Sequence, residues 1–467
     1  MPTKSILDDK KHIHFMGIGG SGMYPLAQIL HSKGYHLTGS DNNDTETLKA
    51  VREMGIEVFL GQRAENIKGA DLIVYTAAIL PDNPELIAAK ESGVPLLERS
   101  DLLAIVTKQF KDTVCVSGTH GKTTTSSMIT QILKKKGVDL TAVIGGKLPI
   151  INGSGIAGKS DIMVCEACEF KDHYLKLFSA ISVILNVDAD HLDYFGSLEN
   201  VIKSFRTFAR QTERTVIVNG SDENSMKAVD GIEEKEIITF GKDESCDYYP
   251  VNIQHISGLE TRFDLMHKGK KLEEITLHVP GKHNILNAVA AAAAAISVGA
   301  EPKDVKAGLS DFFGSHRRFE KYGEVGGVTV VDDYGHHPAE IRAALEAANS
   351  LGYKRVWAVH QPFTFSRTAI LLDDFAKALS LADRVVLTSI MGGREKNNYD
   401  IHTKKLAEKI PGSVWFEKEE HDENFELCAK YVSENAESGD LVVTLGCGDV
   451  NKLALLILER LKMKGER

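Results

Sequence analysis

The chain has 467 residues, of which 43% are hydrophobic and 26% are charged. At about 150 residues per domain, this length predicts about three domains, and the composition excludes a fibrous or disordered chain. With 55 basic and 65 acidic side chains the formal charge is −10, which argues against nucleic acid and acidic membranes as partners.

The sequence carries no recognisable targeting or membrane segment. The stretch MPTKSILDDKKHIHF lacks the apolar core of a signal peptide, and the longest uncharged apolar run, 288–296, is far shorter than the ~20 residues that span a bilayer. The six cysteines are scattered along the chain, as is typical of reduced thiols. We therefore expect a cytoplasmic protein.

Apolar runs alternate with helical patterns from the start of the chain. HIHFMGI, YHLTGSD and DLIVYT read as strands, and MYPLAQILHSKG and TETLKAVREMG read as helices between them. The pattern restarts at the apolar run 113–117 and again after Phe319. We therefore predict an α/β protein with parallel sheets in three domains, which comprise residues 1–110, 111–317 and 318–467.

A first glycine loop, GIGGSG, follows the first strand and precedes a helix. Gly17, Gly19 and Gly22 satisfy the GxGxxG spacing, and Ser40 and Asp41 end the next strand about twenty residues on. Read alone, this pattern favours a Rossmann-like dinucleotide fold. A nucleotide-sugar fits equally well, because any diphosphate can bind the same helix N-terminus.

A second glycine loop, GTHGKTTT at 118–125, lies between an apolar strand and the helical pattern SSMITQILKKKG. Its glycines let backbone amides turn toward phosphate oxygens, Lys122 supplies a positive charge, and the Thr123 hydroxyl can bind Mg²⁺. The segment predicts a P-loop-type site for ATP. The general pattern has a further glycine where Val116 stands.

Acidic and histidine side chains follow two later strands of this second domain. Glu166 comes after IMVC, and Asp190 and His191 come after ISVILNVDA. Mg²⁺ prefers oxygen ligands, so Glu166 with Thr123 is a natural pair. His191 by itself is more often a buried, hydrogen-bonded histidine than a ligand.

Three further motifs concentrate polar groups near the second domain boundary. GKHNILN opens an alanine-rich helix, where Asn284 either caps the helix or reaches a nucleotide base. HRRFE places Arg318 beside another arginine, as a phosphate clamp or a solvated pair. DDYGHHP follows a strand and gathers Asp333, Tyr334 and His336 at one edge.

Together and in this order, GIGGSGM, GTHGKTTT, DHLDYF, GKHNILN, RRFE, DDYGHHP and GCGDV resemble the Mur ligase family over nearly the whole chain. The family consists of ATP-dependent, amide-forming enzymes of peptidoglycan precursor synthesis. The resemblance implies an N-terminal domain that holds a uridine diphosphate sugar, a central ATPase domain and a C-terminal Rossmann-like domain for the amino acid. It therefore assigns the first glycine loop to a nucleotide-sugar and not to NAD.

The resemblance further implies ligation of L-alanine to the lactyl carboxylate of UDP-N-acetylmuramate through an acyl phosphate, with ATP and Mg²⁺. Together with the motifs it assigns these catalytic residues: Lys122, Glu166, His191, Arg318, Asp333, His336 and Arg367. The nucleotide-binding residues are Gly118, Thr119, His120, Gly121, Lys122, Thr123, Thr124, Asn284, Arg318 and Asp333. The substrate-binding residues are Gly17, Gly19, Gly20, Ser21, Gly22, Ser40, Asp41, Tyr334, His336 and Arg367. The metal ligands are Thr123, Glu166 and His191.

The chain departs from the related ligases in two segments. Phe363 stands where they have a histidine after Gln-Pro, and the stretch 391–395, with Arg394, replaces Tyr-Ala-Ala-Arg-Glu. These departures leave glycine, serine or a peptide open as acceptors. Phe205 and Arg206 occupy the region where later-acting Mur ligases carry a carbamylated lysine, which favours the first ligase of the pathway.

Alternatives remain at this stage. A murein-peptide recycling ligase would use the same nucleotide-sugar with a peptide acceptor. A nicotinamide-dependent oxidoreductase would use the first glycine loop, and a non-catalytic regulator would bind the UDP-sugar without releasing ADP. In each case we expect a monomer or a weak homodimer.

Overall fold

The computed structural model describes residues 5–257, 260–393, 395–417 and 421–465, so Arg394 of the second divergent segment lies outside the described residues. The described residues form three β-sheets that follow one another along the chain. Their internal contacts divide them into two compact units. The first takes the described residues of 1–251, 264–275 and 286–310, and the second those of 252–263, 276–285 and 311–467.

Strands and helices alternate in the N-terminal domain. Its elements are β1 (His12–Met16), α1 (Tyr24–Ser32), β2 (His36–Asp41), α2 (Glu46–Glu53), β3 (Glu57–Leu60), a 3₁₀ turn (Ala64–Ile67), β4 (Leu72–Tyr75), α3 (Pro84–Glu91), β5 (Leu96–Glu98) and α4 (Arg99–Thr107). The strands form a parallel sheet in the order β3-β2-β1-β4-β5. Phe15 and Met16 of β1, whose side chains point to opposite faces of the sheet, are both fully buried, as expected of a strand covered on both faces.

The central domain is built on a larger sheet. Its elements are β6 (Asp112–Ser117), α5 (Lys122–Lys135), β7 (Thr141–Leu148), a 3₁₀ turn (Pro149–Ile151), β8 (Gly153–Ile156), β9 (Ile162–Glu166), a 3₁₀ segment (Phe170–Lys176), β10 (Ile181–Ile184), α6 (Leu192–Phe195), α7 (Leu198–Gln211), β11 (Thr215–Asn219), α8 (Glu223–Val229), β12 (Glu236–Phe240), β13 (Tyr248–Ser257), β14 (Glu260–His267), β15 (Lys270–Leu277), α9 (Lys282–Ser297) and α10 (Pro302–Ser310). The strand order is β15-β14-β13-β12-β11-β10-β6-β9-β7-β8.

Strand β6 is the switch point of this sheet. It pairs in parallel with β10 on one side and with β9 on the other, while α5 leads the chain away toward β7. Ligands of open α/β sheets bind at the carboxyl ends of the strands at such a point. The loop after Ser117, the end of β9 and the turn after β10 all meet at this edge.

The C-terminal domain carries the third sheet. Its elements are β16 (Glu320–Val325), β17 (Val328–Asp333), α11 (Pro338–Asn349), β18 (Arg355–His360), α12 (Phe365–Ile370), α13 (Leu372–Leu379), β19 (Arg384–Leu387), α14 (Thr403–Ala407), β20 (Val414–Trp415), α15 (His421–Asn435), β21 (Asp440–Leu445) and α16 (Asn451–Gly465). The order is β16-β17-β21-β18-β19-β20, and only β16 is antiparallel to its neighbour among these described strands. Separate apolar cores, one around Trp357 and one around Phe375, cover the two faces.

The predicted α/β fold class with parallel sheets is confirmed. Sequence reasoning missed the antiparallel pairing of β7 with β8 and the strands β13, β14 and β15. Within the first unit the N-terminal and central domains pack directly: Gly155 of β8 lies so close to Pro25 of α1 that a Cβ at this position would collide with the proline ring. Among the described residues, no helix combines the length and apolar character needed to cross a bilayer.

Candidate functional site

Two glycines give the loop after β6 its shape. Gly118 and Gly121 have φ values of +136° and +88°, a region that side chains with a Cβ rarely adopt. A Cβ would lie 2.9 Å from Leu185 Cβ at Gly118 and 2.6 Å from Asn287 Oδ1 at Gly121. Backbone conformation and close approach therefore both require glycine at these positions.

Asn186, just after β10, fastens the loop. Its carbonyl accepts from Thr119 N at 3.0 Å, its side-chain oxygen accepts from His120 N at 2.7 Å, and its amide donates to His120 O at 3.0 Å. The Thr119 hydroxyl accepts from Asp188 N at 2.9 Å. His120 Nδ1 is buried without a hydrogen-bond partner among the described residues. No sequence motif pointed to this role of Asn186.

Helix α5 starts at Lys122 with no side chain capping its first turn and continues for 14 residues. The first amides of a helix have no partner within the helix, and its N-terminus carries partial positive charge. An uncapped N-terminus after a glycine loop is a ready site for phosphate oxygens. Thr123 is buried in this turn and Thr124 is half-buried.

Lys122 is held by three groups of its own domain. Its Nζ donates to Gly118 O at 2.6 Å and to Thr119 O at 3.1 Å, and it lies 3.0 Å from Glu169 Oε2. Burial disfavours the charged ammonium, but Glu169, together with the neighbouring Cys168 and Glu166, outweighs burial, so the pKa of Lys122 is raised. The side chain is therefore a permanent cation at the helix N-terminus.

Glu169, Asp190 and His191 form a group whose ligand atoms all lie within 4.8 Å of one another. His191 Nε2 lies 4.0 Å from Glu169 Oε1 and 3.7 Å from Asp190 Oδ2. Two carboxylates and one imidazole suit a divalent cation, although Mg²⁺ prefers oxygen donors and usually keeps several waters. Glu169 Oε2 is buried and forms the ion pair with Lys122 Nζ at 3.0 Å, with no hydrogen bond from another described residue, so the carboxylate keeps lone pairs that a cation can use.

Glu166 is not part of this group and has different hydrogen-bond partners. Its Oε1 accepts from Gly145 N at 2.5 Å and from Ser126 Oγ at 3.3 Å. The sequence predicted Thr123, Glu166 and His191 as the metal ligands, whereas the structure groups His191 with Asp190 and Glu169. Glu169 was missed because a carboxylate three residues beyond a strand end has no distinctive pattern.

A hydrogen-bonded clamp centred on Asp172 ties together the two segments that carry this group. Asp172 Oδ2 accepts from Tyr194 OH at 2.9 Å, and Oδ1 accepts from Ser204 Oγ. Asp172 has a φ of +58° and His191 has a φ of +52°, which turns both segments sharply. Such strained backbone persists only where surrounding contacts over-determine it.

The first glycine loop uses several of its amides within its own domain. Gly17 N donates to Ser40 O at 2.7 Å, and Gly19 N donates to Asp41 Oδ2 at 3.0 Å. The Ser40 hydroxyl points inward and donates to buried Glu85 at 2.7 Å. Ser40 and Asp41 at the end of β2 therefore hold the backbone of the loop in place.

The far end of this loop, Gly20, Ser21 and Gly22, leads into α1. Gly20 N donates to Gly17 O at 3.1 Å, and Ser21 O accepts from Ser154 Oγ at 3.3 Å. A Cβ on Gly22 would lie 3.0 Å from Arg99 Cδ. Arg99 thus brings a guanidinium beside the loop, which sequence reasoning missed.

In the second unit, Asp333 anchors two loop amides. Its Oδ2 accepts from Phe319 N at 2.9 Å and its Oδ1 accepts from Gly335 N at 2.8 Å. Burial raises the pKa of Asp333 to about 6, against the opposing effect of Arg318. Asn284 of the same unit is also engaged, because its Nδ2 donates to Pro280 O at 2.6 Å.

Arg317 and Arg318 differ in role although they are adjacent. Arg317 is buried, and it donates to Asp332 Oδ2 at 2.8 Å and to the carbonyls of Gly448 and Gly446 at 2.6 and 2.5 Å. Both guanidinium groups lie over the Tyr334 ring, at 5.1 and 5.2 Å from its centroid. Arg317 therefore has a structural role in holding these segments together. It is not part of a solvated pair of arginines.

His336 and Arg367 belong to one electrostatic neighbourhood. Burial lowers the pKa of His336; nearby Glu340 opposes this effect, and Arg367 adds to it. His336 Nδ1 lies 3.3 Å from Glu340 Oε2. In the described residues, no hydrogen bond or ion pair engages the guanidinium of Arg367, so it is available for an anionic group.

Comparisons with known proteins cover nearly the whole chain. Three family models match: "Mur ligase family, catalytic domain" over residues 12–111, "Mur ligase middle domain" over 116–295 and "Mur ligase, glutamate ligase domain" over 317–448. The UDP-N-acetylmuramate–L-alanine ligase of Caldanaerobacter subterraneus subsp. tengcongensis is 42% identical and is covered over 99% of its length by 98% of this chain. That of Clostridium botulinum strain Okra is 41% identical, covering 97% of its length and 96% of this chain.

Solved structures agree with these relatives. The UDP-N-acetylmuramate–alanine ligase MurC of Thermotoga maritima matches with a TM-score of 0.81 and 29% identity, over 97% of this chain and 100% of that one. A murein peptide ligase of Psychrobacter arcticus has a TM-score of 0.73 and 23% identity, over 97% of this chain and 98% of that one. The second likeness shows the fold alone.

Proposed function

The chain belongs to the Mur ligase family, and from this premise we propose a function and a role for each part of the site. The protein is an ATP-dependent ligase that joins L-alanine to UDP-N-acetylmuramate in peptidoglycan precursor synthesis. One observation of the site carries the proposal. The uncapped N-terminus of α5, the cationic Lys122 and the group Glu169, Asp190 and His191 adjoin one another at the switch point.

The reaction needs an activated carboxylate, because a carboxylate does not react usefully with an amine in water. In our proposal the lactyl carboxylate attacks the γ-phosphorus of ATP, the bond to the β–γ bridging oxygen breaks, and ADP leaves. The product is an acyl phosphate. Lys122 and the first amides of α5 stabilise charge on the transferring group, so no covalent enzyme intermediate is required.

A divalent cation, which we propose to be Mg²⁺, would neutralise phosphate charge when bound. The donor set fits, since the ligand atoms of Glu169, Asp190 and His191 lie within 4.8 Å of one another and two of the three donors are carboxylate oxygens. Glu166 and Thr123 remain proposed ligands from the sequence. Gly145 N and Ser126 Oγ orient the Glu166 carboxylate.

The amino acid is proposed to bind the C-terminal domain through Arg367 and His336. Arg367 offers a guanidinium to the alanine carboxylate. The lowered pKa of His336 keeps its imidazole neutral near pH 7, so it can accept a proton from the alanine ammonium. The amine then attacks the acyl carbon, and the tetrahedral intermediate expels phosphate.

Asp333 suits a different task. Its two carboxylate oxygens already accept from Phe319 N and Gly335 N, so we propose that it holds the loop bearing Arg318 in place for the nucleotide. The nucleotide-sugar diphosphate is proposed to bind at Ser21 and Gly22, at the N-terminus of α1. We also propose that the enzyme acts in the cytoplasm as a monomer or weak homodimer, without nucleic acid or membrane.

The test is release of ADP with UDP-N-acetylmuramate and a panel of L-alanine, glycine, L-serine and a tripeptide. We expect L-alanine to be the preferred acceptor and Lys122→Ala to abolish turnover while the protein stays folded. Preference for the tripeptide would replace the proposal with a recycling ligase. Nucleotide-sugar binding without ADP release would replace it with a regulator.

A further inference from the structure

The buried carboxylate of Glu169 faces two groups at once. Its side chain is 3% exposed. On one side Oε1 and Oε2 lie 3.1 and 3.0 Å from Lys122 Nζ, and on the other Oε1 lies 4.0 Å from His191 Nε2. Oε2 makes no hydrogen bond among the described residues in spite of its short distance to Nζ. A single negative charge thus serves both the phosphate loop and the group with Asp190.

Lys122 has no donor to spare in this arrangement. An ammonium group carries three hydrogens, and its Nζ already has Gly118 O, Thr119 O and the Glu169 carboxylate as acceptors. Two of these acceptors, Gly118 O and Thr119 O, belong to the same loop that is proposed to bind the phosphate together with Lys122. To reach a phosphate oxygen, Nζ has to give up at least one of them.

A divalent cation held by Asp190 and His191 would alter this balance. It would attract the same carboxylate that now pairs with Lys122, and two cations sharing one buried carboxylate repel each other at short range. The arrangement is therefore competitive while no phosphate is present. A phosphate relieves the conflict, because it supplies negative charge to both cations.

We propose that Glu169 is a ligand of the divalent cation and also the counter-ion that holds Lys122, so that binding of the cation releases Lys122 toward the nucleotide phosphates. This inference rests on the proposed function for the identity of the phosphate-bearing ligand. It goes beyond that function by coupling two parts of the site through one residue. Glu166, engaged by Gly145 N, is not the shared carboxylate.

The test measures Mn²⁺ alone on the full chain, without nucleotide, by the loss of the free-ion signal in electron paramagnetic resonance. We expect Glu169→Gln, an isosteric change, to weaken Mn²⁺ binding by about tenfold or more, because it removes one charged ligand. We expect Lys122→Met to strengthen Mn²⁺ binding by about threefold or more, because a competing cation is gone. The exposed Glu213→Gln is the matched control and should bind Mn²⁺ as the unmodified chain does.

The two variants are expected to change Mn²⁺ affinity in opposite directions. Unfolding of the variants does not explain this result, since unfolding weakens Mn²⁺ binding and does not strengthen it. Circular dichroism confirms folding of each variant. Unchanged Mn²⁺ binding in Glu169→Gln would overturn the proposal, and loss in Glu166→Gln instead would assign the ligand to Glu166. Unchanged or weaker Mn²⁺ binding in Lys122→Met would refute the proposed competition between Lys122 and the cation for Glu169.

A second readout uses ADP in the presence of a chelator. We expect Glu169→Gln to bind metal-free ADP several-fold more tightly than the unmodified chain, because Lys122 is no longer held by the carboxylate. Weaker binding of metal-free ADP would refute release of Lys122. These measurements need no turnover, so failure of the ligase assay and failure of this inference are separate results.

Discussion

Replacing Arg317 by methionine should severely destabilise the C-terminal unit. The guanidinium is buried against Asp332, which is fully buried, and it also donates to two carbonyls at 2.5 and 2.6 Å. After the change, Asp332 retains Thr444 Oγ1 at 2.5 Å as its side-chain partner, and its charge is left uncompensated. Breaking a buried ion pair by removing one partner costs about 3–5 kcal/mol.

Tryptophan fluorescence during urea unfolding is the natural assay. The chain has two tryptophans, Trp357 and Trp415, and both lie in the C-terminal domain. With a urea slope of about 2 kcal/mol/M, the expected loss lowers the midpoint by about 2 M. The urea midpoint of Arg317→Lys should lie between those of the unmodified chain and Arg317→Met, because lysine keeps the positive charge but not the planar set of donors.

A double variant separates the charge from the packing. Arg317→Met with Asp332→Asn removes both charges, and it should recover at least about 1 kcal/mol of the loss. The exposed Arg342→Met is the control and should change stability by less than about 0.5 kcal/mol. A loss below about 1 kcal/mol in Arg317→Met, or no recovery in the double variant, would refute the reasoning.

Three further predictions concern the rest of the site. Arg367→Ala should raise the KM for L-alanine about tenfold or more without changing the KM for ATP, since a charged hydrogen bond contributes about 1.5–3 kcal/mol; equal changes in both constants in the ADP-release assay would contradict it. Asp172→Ala should destabilise the first unit by about 1 kcal/mol more than Asp172→Gly, because both lose the bonds to Tyr194 and Ser204 but alanine also strains the left-handed backbone; urea unfolding followed by circular dichroism compares them. Asp333 has a folded pKa of about 6, above its unfolded value of about 4, so the folded state binds more protons between these values. The free energy of unfolding, relative to that of Asp333→Asn, should therefore rise as the pH is lowered from about 6 to about 4. A decrease in this free energy over the same pH range would show that the pKa of the Asp333 carboxyl group is not raised.

Periodicity and motifs predicted the larger features of this protein. Alternating apolar runs and helices specified parallel α/β sheets, because each strand must be covered on both faces. The spacing of GTHGKTTT placed Lys122 at a helix N-terminus, since glycines before a helix leave its first amides exposed. These features are local in the chain, so the sequence expresses them directly.

The strands β13, β14 and β15 at one end of the central sheet were less readable. A strand exposed on one face alternates apolar and polar residues only weakly, and its pairing depends on neighbours far along the sheet. The partner of Lys122 was hidden for a related reason. A motif shows that a carboxylate stands near a strand end, but not which of two carboxylates turns toward the loop.

Only the tertiary structure decided between neighbouring side chains of the same type. Left-handed backbone at Asp172 and His191, together with the clamp through Tyr194, brings Glu169 to Lys122 while Glu166 turns to Gly145 N. Likewise Arg317 is buried as a clamp although Arg318 stands beside it. The amino-acid sequence by itself determined the fold class and the place of the phosphate loop, while backbone dihedrals and long-range packing selected which charged groups face the site.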